Sequence, residues 1–294
     1  MLDSTRRMPS NDMGFKHQTF RIEDELYTLI NRRGTGNFAT VWSSITSQGH
    51  RTAVKVFDLR NRRNNLNPAK IRACFANEIK MLYTIRHAEN CAVTIYGSAI
   101  DLRRGLAFIA MELGNDTLLD RVENLHGTHL KQARSGSDYI STKDRIHIWI
   151  QLVNIIIGLR QHNIIHRDIK PANLIFFGSQ LKVVDFGIAQ IRSAGQYESP
   201  VRNHSGYSAP ECLTAEAPVT SKVDIYSIGA ILYYLTYGKA PMRPSSRAPF
   251  GVRRTRSTRV QNLLYHCLQR NLFKRPSHRW LAEHPLTRAL EQSE

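Results

Sequence analysis

Acidic residues are scarce in this chain, and one long segment has none. The 294 residues include 24 Asp and Glu against 41 Lys and Arg, which gives a formal net charge of +17. No acidic residue occurs in residues 225–282, although that segment contains eleven Lys and Arg. Such a field favours anionic partners: nucleic acid, anionic membrane, or acidic and phosphorylated protein segments. Charge alone does not choose among them.

Other absences narrow the class of protein. The four cysteines have no paired spacing, so we expect buried thiols in a reducing compartment and not a disulfide framework or a zinc site. No apolar run reaches the roughly 18 residues that a membrane span needs. The N-terminal residues also lack the apolar core of a secretory signal. We therefore expect a cytoplasmic or nuclear protein, or one found in both, without a membrane span.

Residue patterns divide the chain into three parts. Residues 1–24 are polar and predict a flexible N-terminal tail. Strand patterns and one long helix occupy residues 25–112, whereas residues 113–294 predict mostly helices. We therefore predict an α+β fold with a small β-rich N-lobe and a larger, mainly helical C-lobe. The two lobes are expected to form a single domain over residues 25–290, with a cleft near residue 113.

Capping signals mark the starts of two helices. Asn67 followed by Pro68 is typical of a helix N-terminus and predicts the long helix of the small lobe over residues 67–86. The sequence STKD at 141–144 resembles a capping box and predicts the start of a second helix. This helix includes the apolar segment 146–157 and is expected to be buried.

A polar triplet follows that apolar segment. In IIHRDIKPANLIFF, Asp168, Lys170 and Asn173 precede the short strand predicted at LIFF. Polar side chains on a loop between buried elements are typical of catalytic residues. Asp168 can accept the proton of an attacking hydroxyl group, Lys170 can stabilise a phosphoryl group in transfer, and Asn173 can bind a metal ion. An ordinary surface turn explains any one of them but not the set.

A metal ion bound to phosphates also needs a carboxylate. Asp185 follows a short apolar strand in VVDFGIAQ and supplies one. Phe186 can pack behind it, and Gly187 permits the backbone to turn. We expect Asn173 and Asp185 to bind Mg²⁺.

Two glycines in the small lobe predict contact with phosphates. RGTGNFATV has Gly34 and Gly36 between two predicted strands, followed by Val41. Glycines allow backbone N–H groups to approach phosphate oxygens closely. Ala39 stands where a third glycine would complete the pattern. An ordinary glycine hairpin explains this motif about as well.

Lys55, in AVKVF, lies on a predicted buried strand. A buried ammonium group needs an anionic partner, because desolvating an unpaired charge is costly. Glu78 on the helix 67–86 can be that partner and leave the ammonium group facing the α- and β-phosphates. The alternative is a surface lysine with its stem along the sheet.

Three further charged residues are predicted to have structural roles. Glu211 in SAPEC and Arg275 in KRPS are expected to form a buried ion pair. Asp224 is a lone acid at the start of an apolar helix. It is suited to bind the backbone of the loop that carries Asp168.

In this order the motifs resemble the catalytic domain of eukaryotic protein kinases. The resemblance implies a bilobal fold that uses ATP and Mg²⁺, with Asp168, Lys170, Lys55 and Glu78 as catalytic residues. Lys170, two residues after the catalytic Asp168, is similar to the pattern of serine/threonine-directed enzymes.

The resemblance also assigns residues around the nucleotide. Adenine is expected to form hydrogen bonds with the backbone of Glu112 and Gly114, and Met111 is expected to be the gatekeeper. His166 and Phe186 are expected to be structural. The full set of ATP-binding residues that the resemblance implies is Gly34, Gly36, Val41, Ala53, Lys55, Met111, Glu112, Gly114 and Ile175.

A narrower resemblance is to the monopolar spindle (TTK-type) dual-specificity kinases. It is carried by MELGNDTL, HRDIKPANLIFFGSQLKVVDFGIAQ, ILYYLTYGKAP and LAEHP, and by the missing third glycine of the loop. It implies a role in mitotic spindle-checkpoint signalling and association with chromatin or the spindle. It also implies Tyr as an acceptor in addition to Ser and Thr.

Two departures from the kinase pattern affect specificity. His204 stands where the family has a Thr seven residues before Glu211, so the preference for the hydroxyl acceptor stays open. The stretch between GKAPM and RVQNLLYHC is short, so we expect the usual substrate-docking helix to be replaced by an arginine-rich loop at 243–259. Its arginines favour acidic or pre-phosphorylated protein substrates, and nucleic acid is a rival partner.

We also expect activation by phosphorylation. Arg167 precedes the catalytic Asp168 and can pair with a phosphate on the segment that follows Asp185. The candidate hydroxyl groups are those of Ser193, Tyr197, Ser199 and Ser205.

Three classes of function are compatible with the motifs. The first is an ATP- and Mg²⁺-dependent protein kinase, which the intact Lys55, Glu78, Asp168, Asn173 and Asp185 favour. The second is a pseudokinase, a scaffold or ATP-binding module without phosphotransfer. The third is a nucleic-acid or chromatin binder that uses the same fold.

Overall fold

The computed structural model of the chain describes residues 14–60, 67–88, 90–132, 138–191, 206–213 and 218–289. They form two compact units. The first contains the residues up to Phe75 and Ile95–Leu113, and the second contains Ala76–Thr94 and the residues from Gly114 onward. The first unit is rich in strands and the second in helices, so the predicted α+β class is confirmed.

The first unit is built on one sheet. Within the described residues, six antiparallel strands pair in the order β1-β2-β3-β4-β6-β5. Alternate side chains on these strands form a core that includes Phe20, Trp42, Val54 and Phe108. The strands are β1 (Thr19–Ile22), β2 (Glu25–Thr35), β3 (Ala39–Thr46), β4 (Arg51–Asp58), β5 (Ile95–Asp101) and β6 (Leu106–Met111).

Strand β1 corrects the prediction of a flexible tail over residues 1–24. Thr19–Ile22 pairs with β2, and Phe20 and Ile22 are buried. The Phe20 ring lies 4.6 Å from that of Phe108. This apolar contact outweighs the polar character of the surrounding sequence. Residues 1–13 lie outside the described part of the chain.

The long predicted helix is present as α1, Pro68–Ile85. The Asn67 side chain accepts a hydrogen bond of 2.8 Å from Ala69 N, and Pro68 occupies the first turn. The prediction placed this whole helix and the following residues in the small lobe. Instead, Ala76–Thr94 belongs to the second unit, because Val93 and Val183 are joined there by a backbone hydrogen bond of 3.2 Å.

The second unit consists mainly of helices, together with two short antiparallel strand pairs. Strand β7 (Ile164–Ile165) pairs with β10 (Gln190–Ile191), and β8 (Leu174–Phe177) pairs with β9 (Gln180–Val183). The helices are α2 (Leu118–Gln132), α3 (Thr142–Gln161), α4 (Lys222–Tyr237), α5 (Thr258–Cys267) and α6 (His278–Glu283), with short 3-10 turns at Pro171–Asn173, Pro210–Leu213 and Leu272–Lys274.

Two helices of this unit position the residues of interest. Helix α3 begins as predicted, with the Ser141 hydroxyl accepting a hydrogen bond of 3.1 Å from Asp144 N. Its buried side chains include Trp149 and Leu152. Helix α4 is buried on all sides from Val223 to Tyr237, and it ends at Gly238, whose φ of 72° is left-handed.

The residues between α4 and α5 contain no helix or strand over 239–257, all of which are described. The predicted arginine-rich loop is therefore present, although its last two residues begin α5. We call residues 243–259 the arginine loop. The Tyr233 hydroxyl donates a hydrogen bond of 2.9 Å to Arg247 O, and the Thr255 hydroxyl donates one of 2.9 Å to the Asp138 carboxylate. These bonds fix the path of the loop at two points.

The structure bears on two expectations from the sequence: the state of the cysteines and the membrane span. Cys74, Cys91, Cys212 and Cys267 are free and buried, as predicted. Burial raises the pKa of Cys91 to about 11 and the pKa values of Cys212 and Cys267 to about 12, so these thiols stay protonated at neutral pH. Among the described residues, the helices are too short or too polar for a membrane span.

Candidate active site

Asp168, Lys170 and Asn173 meet at one carboxylate oxygen in the second unit. The Lys170 ammonium group donates to Asp168 Oδ2 at 2.8 Å, and the Asn173 amide donates to the same oxygen at 2.9 Å. The Asn173 amide also lies 3.0 Å from Asp168 O. The turn Pro171–Asn173 brings Asn173 back toward Asp168. The spacing of the triplet therefore places an ammonium group and an amide around a single, nearly buried carboxylate.

Asp224 positions the backbone of this loop, as predicted. Its two carboxylate oxygens accept hydrogen bonds from His166 N at 2.9 Å and from Arg167 N at 3.0 Å. Arg167 has a φ of 66°, a conformation that a non-glycine residue keeps only when its surroundings require it. Burial raises the pKa of Asp224, whereas the backbone N–H groups of His166 and Arg167 act in the opposite direction. The α4 helix thus fixes the strained turn before Asp168.

His166 connects the loop to the residues around Asp185. Its Nδ1 accepts a hydrogen bond of 3.3 Å from Asp168 N, so in the neutral ring the proton lies on Nε2, which is 3.1 Å from Val184 O. The ring also makes an edge contact with Phe186, at 4.9 Å between ring centroids. His166 therefore contacts both neighbours of Asp185, and Phe186 is fully buried behind it.

Asp185 lies at a strained turn that two side chains hold in place. Its φ is 67°. After it, the Asn77 amide nitrogen lies 3.1 Å from Phe186 O, and the Arg167 guanidinium donates to Ile188 O at 2.7 Å. Asn77 was not predicted from the sequence. A weak signal existed, because Asn is unfavourable inside a helix and this one directly precedes Glu78.

The oxygen ligands at this site suit Mg²⁺. Among the described residues, no group of three or more His, Cys, Asp or Glu side chains could hold a metal ion. Mg²⁺ does not need such a group, since it keeps several waters and takes one or two carboxylates together with substrate phosphates. Asp185 offers a carboxylate and Asn173 an amide oxygen, whose orientation is fixed by the bond of its nitrogen to Asp168.

The first unit contains most of the predicted nucleotide-binding residues. Lys55 lies on β4, with Val41 of β3 and Ile109 of β6 as its ladder neighbours. Its ammonium group is 5.4 Å from the centroid of the Phe57 ring. Ala53 pairs with the buried Met111 at the end of β6.

Within the first unit, neither steric contact nor a left-handed φ requires glycine at position 34. The φ of Gly34 is not in the left-handed region, and a Cβ built on it would have no other atom within 4 Å. Gly36 is similar, with only Ala39 O at 3.6 Å from such a Cβ. Ala39 itself is buried and begins β3. The space beside Gly34 suits a ligand that approaches the backbone closely, as a triphosphate does.

The second unit holds Glu78, Gly114 and Ile175. Glu78 is buried on α1, and its pairing with Lys55 stays a prediction. Gly114 is required by packing, because a Cβ there would collide with the side chain of Ile175 and lie 3.2 Å from Phe176 O. Glu112 follows β6 in the first unit, and the roles of these residues toward adenine stay predictions.

The predicted pair of Glu211 and Arg275 is present. Two parallel bonds of 2.5 and 2.7 Å join the guanidinium group to the carboxylate, and both side chains are buried. Arg275 also donates to Gln269 O at 2.9 Å and to Lys222 O at 3.0 Å. The hydrogen bonds to carbonyl oxygens compensate the buried charge.

The predicted phosphorylation sites cannot be compared with this geometry. Ser193, Tyr197, Ser199 and Ser205 lie outside the described residues, as does His204. Arg167, their predicted partner, uses its side chain on Ile188 O and on Gln190 Oε1, at 2.7 and 3.3 Å.

Comparison with known protein families shows to which family the chain belongs. A profile described as the protein kinase domain matches residues 27–287. The chain belongs to the protein kinase domain family. The matched range includes Lys55, Asp168 and Asp185.

Named relatives of this kinase domain are distant in sequence. It is 23% identical over 240 residues to "Dual specificity protein kinase TTK" of Mus musculus, covering 77% of this chain and 26% of that protein. It is 26% identical over 285 residues to "SNF-related serine/threonine-protein kinase" of Homo sapiens, covering 91% of this chain and 34% of that protein. It is 26% identical over 236 residues to "Serine/threonine-protein kinase cds1" of Schizosaccharomyces pombe, covering 78% of this chain and 48% of that protein. The chain thus spans half or less of the length of these relatives.

Proposed function

We propose that this kinase domain is an active enzyme that transfers the γ-phosphoryl group of ATP to Ser and Thr hydroxyl groups of protein substrates. The observation that carries the proposal is the carboxylate of Asp168, which Lys170 and Asn173 contact at one oxygen. A pseudokinase would not need this arrangement. The motif at 168–170 and the serine/threonine kinases among the relatives support Ser and Thr as acceptors.

The residues of the second unit divide the work. Asp168 orients the substrate hydroxyl group and accepts its proton, and Lys170 stabilises negative charge on the group in transfer. Asn173 and Asp185 would hold Mg²⁺, which neutralises charge on the triphosphate when it is bound. Asp224, His166 and Asn77 hold these groups in place and leave them little reorganisation during the reaction.

Two finer points are part of the proposal. The likeness to a TTK kinase, which carries the name dual specificity, supports Tyr as a further acceptor. From the resemblance of the sequence motifs to the monopolar spindle kinases, we also propose a role in mitotic signalling, with the protein in the nucleus or cytoplasm and in contact with chromatin or the spindle.

The test separates phosphotransfer from nucleotide binding. Wild type, Asp168→Asn and the control Glu283→Gln are incubated with Mg²⁺ and ATP, and autophosphorylation sites are mapped by mass spectrometry. Nucleotide affinity is measured in parallel. We expect Asp168→Asn to bind ATP like wild type but to lose about 10² to 10⁴ in turnover, the range of a lost general base. The exposed Glu283 should tolerate its substitution. A wild-type protein that binds ATP without turnover would be a pseudokinase, and our proposal would be wrong.

A further inference from the structure

The acid-free segment 225–282 carries the most exposed large hydrophobic side chains of the described residues. Phe250 has 106% of its reference exposure, Met242 has 100% and Phe273 has 80%. Exposed apolar side chains are ordinary when they are scattered singly. Here the three exposed apolar side chains lie in the segment whose Lys and Arg residues have no acidic neighbours in sequence. This combination needs a physical explanation.

Phe250 lies at the corner of a tight turn within the arginine loop. Val252 N donates a hydrogen bond of 3.0 Å to Pro249 O, and Gly251 has a φ of 76°. This is the geometry of a β-turn with glycine at its third position. The turn presents the aromatic ring to solvent, and the exposed Arg253 and Arg254 follow directly.

The arginines of the loop have no carboxylate partners in the part of the chain that the structure describes. Ion pairs occur elsewhere, for example between Arg121 and Asp116, but none involves the arginine loop. All six side chains are exposed. Since like charges repel, an anionic surface against the loop would be favourable. The six residues are Arg243, Arg247, Arg253, Arg254, Arg256 and Arg259.

We propose that the arginine loop, together with the adjoining Met242, binds the surface of an anionic phospholipid bilayer. In this arrangement Phe250 enters the boundary between headgroups and acyl chains, and the neighbouring arginines contact lipid phosphates. Aromatic side chains next to basic ones are typical of interfacial membrane binding, and anionic lipids attract nearby Lys and Arg. The proposal does not depend on phosphotransfer.

The exposure of Phe250 favours a bilayer over an acidic protein segment. A site that accepts a peptide offers a recess, in which apolar side chains are partly covered by their own protein. Phe250 and Met242 are not covered, so the partner must close around them. The interfacial region of a bilayer does this without a preformed pocket. Acidic protein substrates and nucleic acid, which charge alone also suggests, become outcomes of the test.

The first measurement is co-sedimentation of the whole chain with vesicles. One set consists of phosphatidylcholine alone, and the other contains phosphatidylserine as well. We expect binding to the second set only. Phe250→Ser combined with Arg253→Gln should weaken it by roughly tenfold or more, because apolar insertion and a charge contact are lost together. Phe250→Ser alone should also weaken it.

A matched control is available in the first unit. Leu102 is 79% exposed and is followed by the exposed Arg103, but it lies next to Asp101. Leu102→Ser combined with Arg103→Gln removes one apolar and one basic side chain from outside the arginine loop. We expect vesicle binding to stay unchanged. An equal loss in this control would mean that the overall positive charge drives binding, and the proposal would be overturned.

A second measurement reports insertion directly. Phe250→Trp places an indole at the turn, and its fluorescence is compared with that of the wild-type chain, which has three Trp of its own. Added phosphatidylserine vesicles should shift the additional emission to the blue, and brominated lipids should quench it. No shift would contradict the proposal. Failure to bind vesicles, with binding of a poly-glutamate peptide or single-stranded DNA that the arginine variants abolish, would replace it with the corresponding partner.

Discussion

The side-chain amide nitrogen of Asn77 lies 2.8 Å from the carbonyl oxygen of Ala189, although 112 residues separate them in sequence. The same nitrogen is 3.1 Å from Phe186 O and 3.2 Å from Gly187 O. An amide group has two hydrogens, so three acceptors must share them. A single side chain of α1 therefore fixes the backbone that follows the metal-binding candidate Asp185.

We predict that Asn77→Ala reduces both stability and turnover. Without the Asn77 amide, the partly buried carbonyl oxygens lose a hydrogen-bond donor. We expect this loss to reduce the free energy of unfolding by roughly 1–3 kcal/mol. A shift of Asp185 should raise the Mg²⁺ concentration needed for activity and lower turnover on the order of 10- to 100-fold. The measurements are thermal unfolding and a Mg²⁺ titration of turnover.

Asn77→Asp is the discriminating variant, because it keeps the shape but replaces the donor with a second acceptor. A carboxylate facing three carbonyl oxygens should be less stable than alanine at the same position. Nucleotide binding measured without Mg²⁺ should change little in either variant. Full activity in the Asp variant would show that these hydrogen bonds do not position Asp185.

We predict that Gly34→Ala weakens nucleotide binding without destabilising the fold. The added methyl group meets no protein atom within 4 Å, and replacing glycine at a compatible φ stabilises a chain by roughly 0.4–1 kcal/mol. It would occupy space that a triphosphate needs, so we expect a rise in KM for ATP of roughly tenfold. Gly127→Ala on α2 is the control, since a Cβ there also meets nothing. Equal KM values in the two variants would place the triphosphate elsewhere.

We predict that acidification from pH 6.5 toward about 4 destabilises the second unit through His278 and His284. Burial lowers both pKa values from the usual 6.5 to about 4. In that window the unfolded chain binds protons that the folded chain does not, so stability falls as pH falls. His284 Nδ1 also accepts a hydrogen bond of 3.1 Å from Leu286 N, which protonation would remove.

The pH prediction is tested by thermal unfolding across this window. His284→Asn keeps an acceptor near Leu286 N but does not titrate, so it should flatten the dependence of the melting temperature on pH. The exposed His87 provides the control substitution, His87→Asn. An unchanged pH dependence in His284→Asn would remove His284 as the cause.

We predict that Glu211→Gln is strongly destabilising. It leaves the fully buried Arg275 guanidinium without its countercharge, at a cost of roughly 3–5 kcal/mol. Arg275→Lys should also be harmful, because an ammonium group cannot form the two parallel bonds. The exposed pair of Arg279 and Glu283 serves as control, and we expect no measurable change in the melting temperature for Glu283→Gln. Similar melting temperatures for the two variants would contradict the prediction.

The contacts that could be predicted from the sequence share a simple physical basis. Asp168, Lys170 and Asn173 are near one another in sequence, so their spacing already restricts their geometry. Asp224 and Glu211 are acids in apolar surroundings, where a buried carboxylate requires a partner. Short sequence spacing and the need of a buried charge for a partner therefore predict which kind of group each residue contacts. They predict the overall arrangement of the site less well.

The contacts that could not be predicted depend on distant parts of the chain. Asn77 meets its acceptors only through tertiary packing, and helix propensity merely marks it as unusual. Strand β1 has four residues in a polar context, too few for a clear alternation. The exposure of Phe250 could not be predicted from the sequence either, because a Phe that follows a Pro is equally compatible with a buried position.

The complete burial of helix α4 has a consequence for the order in which the second unit loses structure. A helix with no solvent-facing side cannot open without exposing apolar surface in every direction, so its amide hydrogens should exchange with deuterium only in global unfolding. Asp224 ties the backbone of His166 and Arg167 to the first turn of this helix. The turn before Asp168 should therefore share the slowest exchange of the molecule, and local fluctuations elsewhere would leave the Asp168 carboxylate in place.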